Sequence, residues 1–153
     1  MNGEHVLVVG YGNTLRSDDG VGWHAARRLA ADPRLEGATV LARHQLTPEL
    51  ATDIASASLV VLVDASIAGA PGSVSVRWIR PRPDRPPAWS HHLDPEALAG
   101  LAGALYDAVP PMAVVSVAST SLAVGDRLSA TLERALPEVV ETVTRVVEEH
   151  RRA

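Results

Sequence analysis

The sequence predicts an α/β fold, namely a three-layer α/β/α sandwich around a twisted, mostly parallel sheet of about five strands. Short apolar, β-compatible runs alternate along the chain with segments of helical periodicity, and that order is typical of parallel strands joined by helices. A chain of 153 residues is long enough to bury the core of such a sandwich. Since no internal repeat or linker composition interrupts the alternation, we expect one domain over residues 1–153.

Five segments have the composition of strands. The first and third are continuous apolar runs typical of buried parallel strands, and the fourth alternates apolar with polar residues. In chain order they cover residues 6–9, 38–42, 59–63, 73–79 and 112–118. The connection from the third strand to the fourth is too short for a helical crossover, so we expect the fourth to run antiparallel at an edge. A proline-rich connection over residues 80–87 should be irregular and exposed.

Helical segments lie between these strands and after the last of them. The first begins at about Gly22 and ends before Asp32-Pro33, which stops a helical pattern. The next three helices each start at a residue of a capping type, and they are predicted over residues 47–57 from Thr47, 94–106 from Asp94 and 129–136 from Ser129. Pro137 is predicted to begin a separate final helix that reaches about residue 151.

The composition excludes several classes of function. A net charge of −4 and scattered arginines give no basic surface for a nucleic acid. The absence of cysteine excludes disulfides, thiolate catalysis and zinc–sulfur sites. No run approaches 18 apolar residues and no leader pattern is visible, so we expect a cytoplasmic, soluble protein without a membrane partner. An aromatic content of 3% argues against a sugar-stacking cleft.

Two familiar motifs are incomplete in this chain. Gly10 and Gly12 suggest a dinucleotide fingerprint, but Leu15 occupies the position of its third glycine. Asp18 and Asp19 would also repel a pyrophosphate at that place. A serine hydrolase is disfavoured because none of the serines in predicted loops lies in G-x-S-x-G, these being Ser66, Ser90 and Ser119.

Acidic residues and histidines are predicted to meet at one edge of the sheet. Asp18 and Asp19 follow the first strand, Asp64 follows the third, and His91 and His92 precede a helix. Ligands bind where the carboxyl ends of parallel strands share an edge, so these side chains can converge. Two carboxylates and one imidazole suit a borderline divalent ion such as nickel or zinc, with further positions open.

The same residues also have structural interpretations. Either aspartate of the Asp18–Asp19 pair can cap the first helix; we expect one to do so and the other, favoured as Asp19, to point outward. One of the two paired histidines should be an ordinary loop residue. Structural or solvated positions are expected for the remaining histidines, which are His5, His24, His44 and His150, and Tyr11 is expected to be a packing residue.

The segment from Gly10 to Gly22 resembles the N-terminal signature of the hydrogenase maturation proteases, Gly-x-Gly-Asn-x-Leu-x-x-Asp-Asp-Gly-x-Gly. These endopeptidases trim the C-terminus of the large subunit of nickel–iron hydrogenases. Two further blocks extend the resemblance over almost the whole chain in the same order. They are residues 61–65 with Pro71-Gly72, and residues 90–93 followed by the helix and the strand that contains residues 114–117.

The resemblance implies a catalytic and metal-binding cluster of Asp19, Asp64 and His92, with His91 as the reserve for the histidine. The first ligand of the family is often glutamate, which is one methylene longer than Asp19. An endopeptidase of this family docks through the cluster on nickel that its substrate, the hydrogenase large-subunit precursor, already holds. Nickel is therefore the implied cofactor, supplied by the substrate rather than permanently bound.

The resemblance leaves the chemistry and the assembly partly open. The open ligand positions can place a water or polarise the scissile carbonyl, or a carboxylate can activate water directly. We expect a monomer. The alternative to an endopeptidase is a non-catalytic metal-sensing or chaperone-like binder of the same fold, which would keep the cluster but not cleave.

Overall fold

Five strands form one sheet in this computed structural model, which describes residues 5–80, 93–120 and 124–153. In chain order the strands are β1 (Val6–Tyr11), β2 (Thr39–Arg43), β3 (Leu59–Ser66), β4 (Val74–Trp78) and β5 (Met112–Ala118). Their order across the sheet is β2-β1-β3-β5-β4. All neighbours are parallel except β4, which pairs antiparallel with β5 at the edge. The mostly parallel sheet and its antiparallel edge strand are thereby confirmed.

Helices cover both faces of the sheet, as the three-layer prediction requires. They are α1 (Val21–Ala30), α2 (Leu50–Ala55), α3 (Pro95–Tyr106) and α4 (Ala130–Arg152), with short 3₁₀ turns at Ser17–Gly20 and Pro33–Leu35. Helices α1 and α4 pack on one face, and α2 and α3 pack on the other. In the described residues no helix is both long and apolar enough to span a membrane.

Strand β3 shows why the apolar runs form the centre of the sheet. Its side chains alternate between the two faces, so Val61 and Val63 contact the α1–α4 layer while Val60 and Leu62 contact the α2–α3 layer. All four are fully buried. Each side chain removed from water in this way contributes roughly 1.5–3 kcal/mol, which favours a continuous apolar run in a strand covered on both faces.

Helix α1 approaches the sheet so closely that glycine is required at the contact. A Cβ atom on Gly22 would lie 2.2 Å from the carbonyl oxygen of Val63 and 2.5 Å from that of Tyr11. A Cβ atom on Gly10 would lie 1.9 Å from the carbonyl oxygen of Gly22. Two glycines of the N-terminal motif therefore bring α1 onto β1 and β3, and they fix where the turn between β1 and α1 begins and ends.

Two predicted helix boundaries are wrong. Helix α4 continues through Pro137 instead of restarting there. The buried stripe that includes Leu132, Leu136, Val139 and Val143 stays in helical phase across the proline, and this burial outweighs the roughly 3 kcal/mol that an internal proline costs.

Helix α2 begins at Leu50, two residues after the predicted first helical residue Pro48, and no side chain caps it. Thr47 accepts through its backbone carbonyl, from the N–H of Leu50 at 3.1 Å, so residues 47–49 form a turn before the helix. The other two predicted caps are confirmed. Asp94 accepts from the N–H of Ala97 at 2.7 Å and Ser129 from that of Leu132 at 3.3 Å.

Candidate active site

Three polar side chains lie in a row across the carboxyl ends of three adjacent strands. Asp64 is within β3 rather than after it, because β3 continues to Ser66. The hydroxyl of Tyr11 at the end of β1 donates to Oδ2 of Asp64 at 2.9 Å, and the hydroxyl of Ser116 in β5 donates to Oδ1 at 2.6 Å. Both oxygens of the carboxylate are thus held by donors from the two neighbouring strands.

The surroundings of Asp64 change its acidity. Burial raises the pKa of this carboxyl, the hydrogen bonds from Ser116 and Tyr11 and the charge of Arg77 partly offset the increase, and the negative charge of Asp19 adds to it. Burial, together with the neighbouring Asp64 carboxylate, also raises the pKa of Tyr11 far above its usual range. Tyr11 therefore remains a hydrogen-bond donor to Asp64 at any physiological pH.

Asp19 lies on the 3₁₀ turn between β1 and α1. Its Oδ2 accepts a hydrogen bond from the backbone N–H of Asn13 at 2.9 Å, which connects the two ends of the loop after β1. Asn13 in turn accepts from the N–H of Leu15 through its side chain at 2.9 Å. This compact loop presents the Asp19 carboxylate at the same edge of the sheet as Asp64.

Asp18 occupies a different environment from its neighbour. Its side chain is fully buried, and its carboxylate accepts from the N–H and the hydroxyl of both Thr120 and Ser129 at 2.7–2.9 Å. Burial alone would raise the pKa of Asp18, but these hydrogen bonds outweigh burial and hold the pKa below its ordinary value. The prediction that one of the two aspartates caps α1 is wrong, since α1 has no side-chain cap and Asp18 binds the start of α4 instead.

Asp19 and Asp64 line one open cleft of about 1180 Å³ at this edge. One wall is the loop after β1 together with residues 44–46 after β2, and the other is the start of α3 with β4. Among the described residues, four acidic side chains and two arginines face the cleft, a balance that favours a cationic ligand. The acids are Asp19, Asp64, Asp94 and Glu96, and the arginines are Arg16 and Arg77. Arg77 forms an ion pair with Glu96.

Several side chains of the cleft were not predicted to belong to it, among them Tyr11, His44 and Arg77. Tyr11 was expected to be a packing residue, His44 was expected to be structural or solvated, and Arg77 was not considered. His44 lies at the cleft with its ring stacked on Trp23, the two centroids being 6.4 Å apart. The pairing of β1 with β3, with Gly10 beside Val63, is the signal that would have placed Tyr11 next to Asp64.

The predicted third member of the cluster, His92, lies outside the described residues, as does His91. In the part of the chain that the structure describes, no three histidine, aspartate or glutamate side chains are grouped closely enough to hold a metal ion. Asp19 and Asp64 supply two carboxylates of the predicted ligand set. Its third ligand, His92, stays a prediction. His5 and His150 have structural contacts, with Thr39 and Ser58 respectively.

The fold of this chain is that of several solved endopeptidases. The hydrogenase maturating endopeptidase HybD from E. coli superimposes with a TM-score of 0.74 at 23% identity, over 95% of this chain and 93% of that protein. The NiFe hydrogenase maturation protease HycI from Thermococcus kodakarensis gives 0.72 at 18% identity, over 94% and 92%. A hydrogenase 2 maturation peptidase from a Thaumarchaeota archaeon gives 0.73 at 23% identity, over 95% and 99%.

These similarities extend over nearly the full length of each protein, and the α/β fold expected from the sequence resemblance is confirmed. No family model matches the chain, and no curated protein sequence matches it.

Proposed function

We propose that this chain is an endopeptidase that removes a C-terminal peptide from the nickel-loaded large subunit of a nickel–iron hydrogenase during maturation. The observation that carries the proposal is the pair of carboxylates, Asp19 and Asp64, in one open cleft at the carboxyl edge of the sheet. The fold supports it, because the similar structures are named as hydrogenase maturation endopeptidases, proteases or peptidases.

Nickel belongs to the substrate in this proposal. Asp19 and Asp64 would contact the ion through carboxylate oxygens, with His92 as the imidazole ligand and His91 as its reserve. Two carboxylates and one imidazole, in a chain without cysteine, form a weak and open ligand set. Such a set suits transient contact with an ion that the precursor holds, so that only a nickel-loaded large subunit is cleaved.

Asp64 is the residue proposed to take the proton of the attacking water and to return it to the amine nitrogen that leaves when the peptide bond breaks. Its carboxylate is oriented by Tyr11 and Ser116, each of which occupies one lone pair of a different oxygen. No other hydrogen-bond donor of the described residues binds it, so further lone pairs can accept from water or bind the ion. The burial that raises its pKa brings it closer to the range in which a carboxylate is an effective base. The reaction is then an aspartate-dependent hydrolysis of one peptide bond. We propose that it takes place in the cytoplasm and that the enzyme acts as a monomer.

The test is cleavage of the matching large-subunit precursor, followed as a shift in gel mobility and by the intact mass of the product. Wild-type protein should release the C-terminal peptide, and Asp64→Asn and Asp19→Asn should not, because each replaces a charged ligand by an amide of the same shape. Asp53→Asn, on the exposed side of α2 and away from the cleft, is the matched control and should cleave at the wild-type rate. Absence of cleavage by wild-type protein on every matching precursor would favour the non-catalytic binder.

A further inference from the structure

Asp18 is the buried carboxylate of this edge that the proposed reaction does not use. It is fully buried, whereas its neighbour Asp19 lines the cleft. A buried carboxylate is unfavourable unless donors satisfy it, so its presence next to the cleft needs a physical reason. Thr120 and Ser129, which lie at the two ends of the connection between β5 and α4, each donate two hydrogen bonds to it.

These donors connect the 3₁₀ turn to the rigid part of the fold. Thr120 follows the last strand residue of β5 by two positions, and Ser129 is the capping residue of α4. A second connection runs parallel to the first, because the N–H of Ser17 donates to the carbonyl of Gly125 at 2.8 Å and the N–H of Gly125 to that of Leu15 at 2.9 Å. The turn is therefore held at both its backbone and its buried side chain.

The backbone of the turn is strained at its first residue. Ser17 has a φ of 49°, in the left-handed region that non-glycine residues rarely adopt. Such a conformation persists only where the surrounding contacts determine it. The hydrogen bond from the N–H of Ser17 to Gly125 and the hydrogen bonds of the adjacent Asp18 are contacts of this kind.

The geometry of a 3₁₀ turn makes the burial of one residue decide the direction of the next. With three residues per turn, successive side chains point about 120° apart, so a turn that directs Asp18 inward directs Asp19 out of the core. Resting on the proposed function, we infer that Asp18 is a positioning residue for Asp19: it holds the turn so that the Asp19 carboxylate faces the cleft and accepts from the N–H of Asn13.

Asp18→Asn tests the inference, because it keeps the shape of the side chain and replaces one of its two acceptor oxygens by an NH₂ group, which cannot accept from the donors of Thr120 and Ser129. The matched control is Asp32→Asn, whose carboxylate accepts from the N–H of Arg34 at 2.9 Å in a 3₁₀ turn away from the cleft. Five quantities are measured in both variants. They are the melting temperature, the hydrogen-exchange rate and the NMR resonance of the Asn13 amide, and kcat and KM on the precursor.

We expect Asp18→Asn to shift the Asn13 amide resonance and to speed its exchange about tenfold, while amides of β3 stay protected as in wild type. Its kcat should fall about tenfold or more, with KM unchanged or raised, since a displaced Asp19 carboxylate would no longer meet the nickel of the substrate in the productive geometry. Asp32→Asn should change neither the exchange of the Asn13 amide nor kcat. A lower melting temperature with wild-type Asn13 exchange and kcat would overturn the inference, because Asp18 would then only stabilise the fold.

The role of Asp18 can be measured without a substrate and in a second variant. The Asn13 measurement needs no substrate, so it decides the role of Asp18 even when wild-type protein cleaves no precursor and the proposed function fails. Where Asp18→Asn does not fold, Thr120→Val removes one hydroxyl donor from Asp18 and keeps the backbone donor. It should move Asn13 exchange and kcat in the same direction by about threefold, and a folded variant without either change would overturn the inference.

Discussion

Replacing Gly22 by alanine tests the packing that brings the cleft residues together. The new Cβ would lie 2.2 Å from the carbonyl oxygen of Val63, and since real Cβ atoms stay at least 3.0 Å from such atoms, α1 would have to withdraw by about 0.8 Å. The carbonyl oxygen of Tyr11, at 2.5 Å, is a second obstacle. Both oxygens belong to the backbone, of β3 and of β1, and cannot rotate away as a side chain can. Overpacking costs up to about 3 kcal/mol, and we expect the upper value because backbone atoms block the new Cβ. Alanine favours the helix by about 1 kcal/mol relative to glycine, so the free energy of unfolding should fall by about 2 kcal/mol in net.

The matched control is Gly103→Ala in α3. Its Cβ would meet only a methyl group of the partly exposed Val109, at 3.0 Å, and that side chain can move. This variant should be as stable as wild type or up to about 1 kcal/mol more stable. Urea unfolding followed by circular dichroism gives both free energies. A Gly22→Ala protein that equals or exceeds wild type in stability would show that α1 does not rest on the backbone of β1 and β3.

Three further outcomes are expected from urea unfolding. Leu62→Ala should lower the free energy of unfolding by about 2–5 kcal/mol, because the fully buried side chain leaves a cavity at the centre of the sheet. Asp94→Ala should lower it by about 1 kcal/mol through loss of the α3 cap, and a loss no larger than that of an exposed control would contradict the cap. Burial raises the pKa of Asp64 above its value in the unfolded chain, so folding favours the protonated carboxyl. The contribution of the protonated side chain to stability is full at acid pH and is lost as pH rises through the pKa of the folded state. Asp64→Asn should therefore unfold at higher urea than wild type at pH 7 and at equal urea near pH 3; a less stable variant at pH 7 would contradict the raised pKa.

The layers and strand directions could be predicted because they depend on local patterns. The apolar run of β3 is short and rich in valine, which is typical of a buried strand, and the connection to β4 is too short for a helical crossover, which favours an antiparallel edge strand. The α4 boundary could not be predicted in the same way. Pro137 is a local stop signal, and it is overruled by burial of a stripe that becomes visible only when the helix packs on the sheet.

The pair Asp18–Asp19 shows where sequence reasoning about the site ends. The pattern places both carboxylates after β1, and it correctly favours Asp19 as the outward one. It cannot show that Asp18 binds Thr120 and Ser129, about a hundred residues away in the chain. Tyr11 was missed for a similar reason, because its contact with Asp64 follows from strand register, which the sequence alone does not specify.

The most direct test of the central claim is the nickel dependence of cleavage. Nickel-loaded and nickel-free forms of the same large-subunit precursor are incubated separately with wild-type protein and with Asp64→Asn, and the intact mass of the large subunit is followed with time. We expect a mature-sized product only where wild-type protein meets nickel-loaded precursor. Equal cleavage of the nickel-free precursor, or cleavage by Asp64→Asn at the wild-type rate, would contradict it.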